Sequence, residues 1–346
     1  MIKPVDPIRQ RQAMTHKLEG RMACEGKLTL PAVPALAGEY ATRCEQLFCA
    51  LGRKLNATER DNLHKILLSQ LEIAFAASPR SRIIVSYEAS VGGLLNYFVN
   101  PVHSSLSNTY ESWVLTRQPP YFGMEPDAKV MAVVNEVVEP SKSRVLDIGS
   151  GTGRNALPLA RRGHPVDAVE LTPKFAEILS ESARKESLPI TVICQDVFQA
   201  KNVLRRDYEL MVVSEVISDF RSTDELRALL DLASQRLAKT GKLVMNVFIA
   251  QAHYSQDDAV KQFAQQVYSN FFSDSEMQAL LKGLPLSLIS DESVYDFEMT
   301  NLPEGSWPPT PWYPDWVSGL DLFNTSRDDS PVNLRWLVFQ KNADSV

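Results

Sequence analysis

The sequence predicts an α/β fold in which helices cover both faces of a mainly parallel sheet. From about residue 141, short apolar runs alternate with amphipathic helical patterns, which is the rhythm of strand–helix–strand units. A glycine-rich turn, GSGTG, follows the first of these runs. Acidic residues also occur at the ends of these runs, since Glu170 ends the second run and Asp196 follows the third. We therefore expect the glycine turn and the acidic residues at the carboxyl ends of successive parallel strands.

The composition indicates a globular protein and excludes several classes of function. Hydrophobic residues at 44% and charged residues at 23% predict a packed core. The 36 basic and 42 acidic residues give a net charge of -6, which weighs against a nucleic-acid partner. Four scattered cysteines without a CxxC pair predict neither a zinc site nor a disulfide framework, so we expect no metal and a cytoplasmic location. No apolar run reaches the ~18 residues that a membrane span needs, so no membrane partner is expected.

The chain length of 346 residues suits about two domains. We expect residues 1–29 to be a flexible N-terminus, since they are polar and contain no apolar signal segment. Residues 30–125 are expected to form a helical and β-hairpin extension. Residues 126–346 are expected to form the sheet domain.

Local patterns predict the elements of the extension. Apolar residues at steps of three and four predict a helix from Leu36 to Leu51. Asn56 followed by Glu59 predicts a capping box at the start of a second helix. Two β-rich runs on either side of Gly92-Gly93 predict a hairpin. The extension would be a packing subdomain or a surface for a protein partner.

The sheet domain is expected to contain five parallel strands and then an antiparallel pair. The predicted strands are residues 144–148, 166–170, 191–194, 210–214, 243–249, 286–297 and 334–340, and the predicted helices include 153–162, 172–186, 226–238 and 273–281. Ser273 followed by Glu276 predicts a capping box for the last of these helices. A long loop rich in proline and tryptophan is expected between the last two strands.

The glycine turn has the chemistry of a nucleotide-binding loop. Gly149, Gly151 and Gly153 allow a sharp turn and a close approach of the backbone to a ligand. The helix that follows directs its free N–H groups and positive dipole end towards the same place. These features alone fit either a dinucleotide or S-adenosylmethionine.

Three carboxylates favour S-adenosylmethionine. Asp147 lies two residues before the first glycine, where it suits a cationic amino-acid group and would be unfavourable beside a pyrophosphate. Glu170 follows Gly153 by 170 − 153 = 17 residues, which is the place for an acid that accepts ribose hydroxyls. Asp196 is placed to bind the adenine amino group, and the N–H of Val197 a ring nitrogen. All three are expected at neighbouring strand ends.

The run RVLDIGSGTGRNALPLARRGHPVDAVELTPKFAEIL, residues 144–179, resembles motif I and the following acidic strand of class I S-adenosylmethionine-dependent methyltransferases. The likeness continues with less identity through QDVF, YELMVVSEVISDF and GKLVMNVF, over roughly residues 132–248. Within the family, the chain is most similar to small-molecule methyltransferases of the tellurite-resistance and thiopurine type. The resemblance implies a Rossmann-like seven-stranded sheet whose last strand is inserted antiparallel.

The resemblance also implies roles for individual residues. S-adenosyl-L-methionine would be the cofactor, bound by Asp147, Gly149, Gly151, Gly153, Glu170, Leu171, Asp196, Val197 and Ser214. The family usually has Asp-x-Ser or Asp-x-Pro where this chain has Glu170-Leu171-Thr172, and glutamate keeps the carboxylate. Ser214 and Glu215 would lie beside the sulfonium.

Together these observations predict an enzyme that transfers a methyl group from S-adenosylmethionine to a small-molecule acceptor by in-line displacement. The alternatives are a non-catalytic binding module of the same fold that holds a protein partner, and a protein methyltransferase. A thiolate or amine acceptor needs no general base, whereas a hydroxyl acceptor would. Glu215, Asp219 and His253 are the nearby candidates, and none is assigned a catalytic role.

Two aromatic segments are candidates for the acceptor site. Trp113, Tyr121 and Phe122 would cover the edge of the cofactor, or would only pack. Trp312 and Tyr313, in the proline-rich loop, would form an aromatic wall for a planar or hydrophobic acceptor, or would anchor that loop to the extension. The predicted acceptor-binding residues are Tyr121, Phe122, Glu215, Trp312 and Tyr313.

Overall fold

A computed structural model describes residues 6–19, 21, 23–91 and 95–343. The chain divides into two compact units, Met1–Leu106 and Ser107–Val346. The division lies before the expected boundary between residues 125 and 126. The physical reason is that aromatic residues of the intervening segment, such as Tyr110 and Phe122, pack against Phe175 of the sheet domain.

The first unit contains a three-stranded antiparallel sheet in the order β1-β2-β3. Its core joins buried residues of two helices and the middle strand, among them Phe48, Leu67 and Val85. The elements are α1 (Pro7–Glu19), β1 (Cys24–Pro31), α2 (Ala37–Ala50), α3 (Ala57–Ala77), β2 (Arg82–Ala89) and β3 (Leu95–Val102). The predicted helix pair and hairpin are confirmed, and both hydrogen bonds of the predicted Asn56 capping box are present. The predicted Gly92-Gly93 turn lies outside the described residues.

The expectation for residues 1–29 was wrong in part, because the described part of this segment forms α1 and most of β1. The strand β1 pairs with β2 along its whole length, from Cys24 opposite Ala89 to Pro31 opposite Arg82. Residues along it alternate between half-buried and exposed, so no continuous apolar run marks the strand. Gly26 lies against the ring of Tyr87, and a Cβ at that glycine would come within 2.3 Å of the Tyr87 hydroxyl.

The second unit is built on the predicted seven-stranded sheet, in the order β10-β11-β8-β7-β4-β5-β6, with β9 added beside β8. Strands β4 to β8 run parallel, and β11 lies antiparallel between β10 and β8. The strands are β4 (Val145–Ile148), β5 (Val166–Glu170), β6 (Ile190–Cys194), β7 (Tyr208–Val213), β8 (Leu237–Ala250), β9 (Phe271–Ser273), β10 (Leu286–Ser293) and β11 (Val332–Lys341). The helices are α4 (Leu106–Thr116), α5 (Ala128–Val134), α6 (Ala156–Arg161), α7 (Pro173–Lys185), α8 (Thr223–Arg236), α9 (Asp258–Gln266), α10 (Asp274–Leu281), α11 (Val294–Asn301) and α12 (Tyr313–Val317).

Two apolar clusters cover the two faces of this sheet. Successive residues of β7 alternate between them, since Leu210 and Val212 belong to one cluster while Met211 and Val213 belong to the other. Strands buried on both faces read as continuous apolar runs, which is why the central strands were predictable. The predicted α/β architecture with helices on both faces is therefore confirmed.

Two segments of the second unit differ from expectation, and a third had no predicted secondary structure. The strand expected over 286–297 ends at Ser293, because the Ser293 side chain accepts the N–H of Asp296 and starts α11. The aromatic segment after residue 105 begins with a regular helix, α4. The proline-rich loop contains the short helix α12. Across the described residues, no helix has the length and apolar character needed to cross a membrane.

Candidate cofactor and acceptor site

The glycine loop leaves the carboxyl end of β4 and packs tightly against its neighbours. Gly149, Gly151 and Gly153 all have positive φ angles, of 69°, 54° and 97°, a region that residues with a Cβ rarely adopt. A Cβ at Gly149 would come within 2.2 Å of Val216 Cγ2, and one at Gly153 within 2.6 Å of Leu179 Cδ1. Glycine is required here by the backbone conformation and by close packing against Val216, which follows β7, and Leu179 of α7.

Glu170, at the end of β5, ties the glycine loop to the next strand. Its carboxylate accepts the N–H of Gly151 at 2.8 Å and the N–H of Thr172 at 2.7 Å. Burial raises the pKa of this carboxyl, while the two backbone donors act against that rise. Each oxygen of a carboxylate has a second lone pair, so Glu170 can hold the loop and still accept further hydrogen bonds.

Asp147 presents an unused polar atom at the foot of the loop. Its side chain is 2% exposed, and its Oδ2 has no hydrogen-bond partner among the described residues. Burial, and after it the negative charge of Asp127, raises the pKa of Asp147 to about 8. The positive charge of Arg154 and the N–H of Ala156 oppose this rise only in part. A buried carboxylate is costly, so this site favours a ligand that brings a cation.

The chain after β7 is held in an unusual conformation by a buried asparagine. Glu215 has a φ of 59° although it is not glycine, and such residues carry strain that collects at functional sites. Its N–H donates to Asn246 Oδ1 at 2.7 Å, and Asn246 Nδ2 donates to Ser214 Oγ at 3.3 Å. Asn246 lies on β8 and is 1% exposed. It fixes Ser214 and Glu215 at the end of β7.

Two residues that directly follow the glycine loop join it to Asp127 and Glu215. Arg154 donates to Asp127 Oδ1 at 2.6 Å and to Glu215 Oε1 at 2.5 Å. Asn155 donates to Asp127 Oδ2 at 2.8 Å and accepts the N–H of Asp127 at 3.0 Å. Sequence reasoning missed Arg154, Asn155, Asp127 and Asn246. The only local signal was a charged residue directly after the glycines.

Tyr313 belongs to the same polar region. It begins α12, is 2% exposed, and its hydroxyl has no hydrogen-bond partner in the described parts of the chain. Burial and the negative charge of Glu215 raise the pKa of this hydroxyl well above its usual range. Trp312 packs against the Tyr313 ring, with centroids 6.0 Å apart, and remains 38% exposed. Of the two predicted wall residues, Tyr313 therefore lies inside and Trp312 at the surface.

An aromatic cluster lies beside the glycine loop. Phe122 Cε2 is 3.3 Å from the position of a Cβ on Gly151, and its ring packs edge-on against Phe175 at 5.4 Å. Tyr121 also packs against Phe175, at 5.6 Å. The remaining rings of the cluster are Tyr110, Trp113 and Tyr268. The predicted residue Phe122 thus lies next to the loop, and Tyr121 lies in the same packed layer of rings.

A family model described as a methyltransferase domain matches residues 145–241. This region is a class I S-adenosylmethionine-dependent methyltransferase domain. The match begins with β4 and includes the glycine loop, Glu170, Asp196 and the end of β7. The predicted family and its cofactor, S-adenosylmethionine, are therefore confirmed for the methyltransferase domain.

Solved structures are similar to this chain at low identity. A putative sarcosine dimethylglycine methyltransferase from Galdieria sulphuraria is 14% identical, with a TM-score of 0.50, over 69% of this chain and 99% of that chain. Geranyl diphosphate C-methyltransferase from Streptomyces coelicolor A3(2) is 15% identical, with a TM-score of 0.47, over 62% of this chain and 80% of that chain.

A curated relative shares sequence with one third of the chain. It is the probable non-canonical nonribosomal peptide synthetase CymA from Salinispora arenicola (strain CNS-205), 31% identical over 115 residues. The alignment covers 33% of this chain and 2% of that protein. The matched segment is therefore a small part of a much larger protein.

The other predicted cofactor residues lie at the ends of β5 and β6 in the methyltransferase domain. Asp196 Oδ1 accepts the N–H of Phe198 at 2.8 Å, which shapes the turn after β6. Val197 is buried, and Leu171 is 38% exposed beside Glu170. Their roles towards the cofactor stay predictions. His253, considered as a base, is exposed.

Proposed function

We propose that this protein transfers a methyl group from S-adenosylmethionine to a small-molecule acceptor. The observation that carries the proposal is the unpartnered Oδ2 of Asp147, buried at the start of the glycine loop. Arg154 offsets only part of the cost of burying this carboxylate, and the pKa of Asp147 stays raised, so a cationic ligand would stabilise its charged form. The amino group of a bound methionine moiety would provide that cation, and a pyrophosphate would not.

The remaining residues of the loop fit the other parts of the cofactor. The backbone of Gly149, Gly151 and Gly153 would face the methionine portion. Glu170 would accept the ribose hydroxyls with the lone pairs that its two backbone donors leave unused. Asp196 and Val197 would bind the adenine, with Leu171 and Ser214 bordering the site.

The chain contributes alignment and exclusion of water. When bound, S-adenosylmethionine supplies a methyl group that is already electrophilic. Holding an acceptor in line with that methyl group is worth about 7–11 kcal/mol of the barrier in well-oriented reactions. Asn246 and Arg154 fix the end of β7 where the acceptor would lie. The aromatic cluster beside Gly151 would limit the access of water to the loop, which favours a transition state with dispersed charge.

The enclosure of the acceptor side favours a small molecule. The side chain of Glu215 is 14% exposed, and Tyr313 is 2% exposed. A folded protein surface would reach these groups only through a single extended side chain. We also place the protein in the cytoplasm, since all four cysteines are free thiols. Fractionation of the source cells tests that location.

A transfer assay tests the proposal. The protein is incubated with S-adenosylmethionine labelled in its methyl group and with an extract of the source cells, and the products are separated by size. We expect label in the small-molecule fraction, and loss of labelling in Asp147→Asn. Label in a protein band would indicate a protein methyltransferase. Bound cofactor with no label in any fraction would indicate a non-catalytic module.

A further inference from the structure

We infer that the methyl acceptor is an amine, which enters as an ammonium ion and is held by Glu215 and the Tyr313 hydroxyl, with Glu215 taking its proton. This inference rests on the proposed methyl transfer and names the substrate class of that same site. It follows from two independent features. Buried carboxylates outnumber cations beside Arg154, and the Tyr313 hydroxyl has no hydrogen-bond partner among the described residues.

The polar region around Arg154 contains more carboxylates than cations. One guanidinium serves both Asp127 and Glu215. Asp127 is fully engaged, because Arg154 and Asn155 donate to its two different oxygens. Among the described residues, the Glu215 side chain receives one hydrogen bond, at Oε1, so Oε2 is available to a ligand. Glu298 lies in the same region, and burial raises the pKa of its carboxyl to about 7.

Tyr313 supplies the second observation. A buried hydroxyl normally has a hydrogen-bond partner, whereas the Tyr313 hydroxyl has none in the part of the chain that the structure describes. Tyr313 packs against Trp316, and Trp316 packs against Phe248 of β8, the strand whose Asn246 binds the backbone of Glu215. Burial, and after it the negative charge of Glu215, raises the pKa of the hydroxyl. A donor that satisfies both the hydroxyl and the carboxylate must carry at least two N–H groups and should be cationic. An ammonium group has this chemistry.

Other acceptor classes fit this surface less well. A carboxylate acceptor would face Glu215 and Asp127 at close range, and like charges repel strongly where water is excluded. An alcohol could hydrogen-bond to Tyr313 but would bring no positive charge to pair with the free oxygen of Glu215. The surface therefore discriminates by charge, through repulsion of anions as well as attraction of cations.

The reaction balances with the residues present. The ammonium gives one proton to the Glu215 carboxylate and becomes a neutral amine. Its nitrogen lone pair forms the new N–C bond to the methyl group, while the C–S bond breaks and its electron pair remains on sulfur. The products are a methylated ammonium and a neutral thioether. The proton on Glu215 leaves to solvent, which restores the carboxylate.

Ligand-observed NMR tests the inference on protein saturated with S-adenosylhomocysteine. The probes are matched triplets of small molecules, in which the same scaffold carries an ammonium, a hydroxyl or a carboxylate group. The variants are Glu215→Gln, Tyr313→Phe and the control Glu209→Gln, an exposed acid on the same strand, β7. Tyr313→Phe is included because Glu215→Gln also loses part of its pairing with Arg154.

We expect the ammonium members to bind and the carboxylate members not to bind. Glu215→Gln should weaken ammonium binding about tenfold or more, and Tyr313→Phe about threefold to tenfold, while Glu209→Gln should behave as the unchanged protein. Binding spread evenly over the three classes, binding led by carboxylates, or no ammonium binding would overturn the inference. Calorimetry of S-adenosylhomocysteine precedes the screen. Failure of that step counts against the proposed function, whereas cofactor binding without ammonium binding counts only against the amine.

Discussion

Replacement of Tyr313 by phenylalanine should make the protein more stable and less active. The hydroxyl is buried with no partner among the described residues, and a buried unsatisfied polar group costs about 1–3 kcal/mol. Phenylalanine keeps the ring and its packing against Trp307 and Trp316. We therefore expect the free energy of unfolding to rise by about 1 kcal/mol or more. Active sites often keep a functional group although it lowers the stability of the protein.

The structure provides a matched control on β7. Tyr208 is as deeply buried as Tyr313, but its hydroxyl donates to Asp167 Oδ2 at 2.7 Å and accepts the N–H of Arg205 at 3.2 Å. Tyr208→Phe leaves the buried Asp167 carboxylate without that donor, which should cost about 1–3 kcal/mol. The same chemical change is therefore expected to have opposite signs at the two positions.

Thermal unfolding followed by near-ultraviolet circular dichroism measures both changes. The second unit contains 346 − 106 = 240 residues, for which 1 kcal/mol corresponds to a shift of about 2–4 °C in Tm. Tyr313→Phe should raise Tm by about that amount, and Tyr208→Phe should lower it. If Tyr313→Phe lowers Tm as much as Tyr208→Phe does, the Tyr313 hydroxyl has an internal partner, and the argument that it serves a ligand is wrong.

Three further predictions concern the cofactor side of the site. Gly149→Ala adds a clash at 2.2 Å to an unfavourable φ, whereas Gly283→Ala has a similar φ of 80° and no atom within 4 Å. In urea unfolding, Gly283→Ala should lower the free energy of unfolding by about 1–2 kcal/mol, and Gly149→Ala should lower it clearly more. Equal losses would show that packing against Val216 does not require the glycine. Because the pKa of Asp147 is raised to about 8, binding of a cation expels a proton, and the affinity for S-adenosylhomocysteine should rise by up to about tenfold per pH unit from pH 6 towards 8. Calorimetry should show no such rise in Asp147→Asn. A rise that persists in this variant would assign the proton to another group. Glu170→Gln places an amide where the carboxylate accepts two backbone N–H groups, so it should weaken cofactor binding about tenfold or more. The exposed control Glu177→Gln should leave cofactor affinity unchanged. Unchanged affinity in Glu170→Gln would show that Glu170 does not bind the ribose.

The parts of the fold that sequence could predict are those with local or strongly periodic signals. Asn56 and Ser273 marked helix starts because a capping box is formed within four consecutive residues. The central parallel strands β4, β5 and β7 were recognisable because both of their faces are buried. In contrast, β1 alternates between half-buried and exposed residues, and its place in the sheet depends on its pairing with β2.

The candidate site was predictable where function depends on the glycine loop and unpredictable where it depends on contacts between elements. Arg154 meets Asp127 across 27 residues of sequence, and Asn246 meets Glu215 across 31. No local pattern encodes such pairs, since they depend on the order of the strands in the sheet. Tyr313 was selected for its aromatic ring. The burial of its hydroxyl, on which the proposed acceptor role rests, depends on the position of α12 and could not be predicted from the loop sequence.

Calorimetric titration of the intact protein with S-adenosylmethionine tests the central claim most directly. We predict saturable binding at one site per chain, with a Kd in the micromolar range, about −8 kcal/mol. Asp147→Asn should reduce this affinity. A protein that is folded by circular dichroism and yet gives neither saturable heat nor a change in Tm with the ligand would contradict the assignment of the glycine loop as the cofactor site.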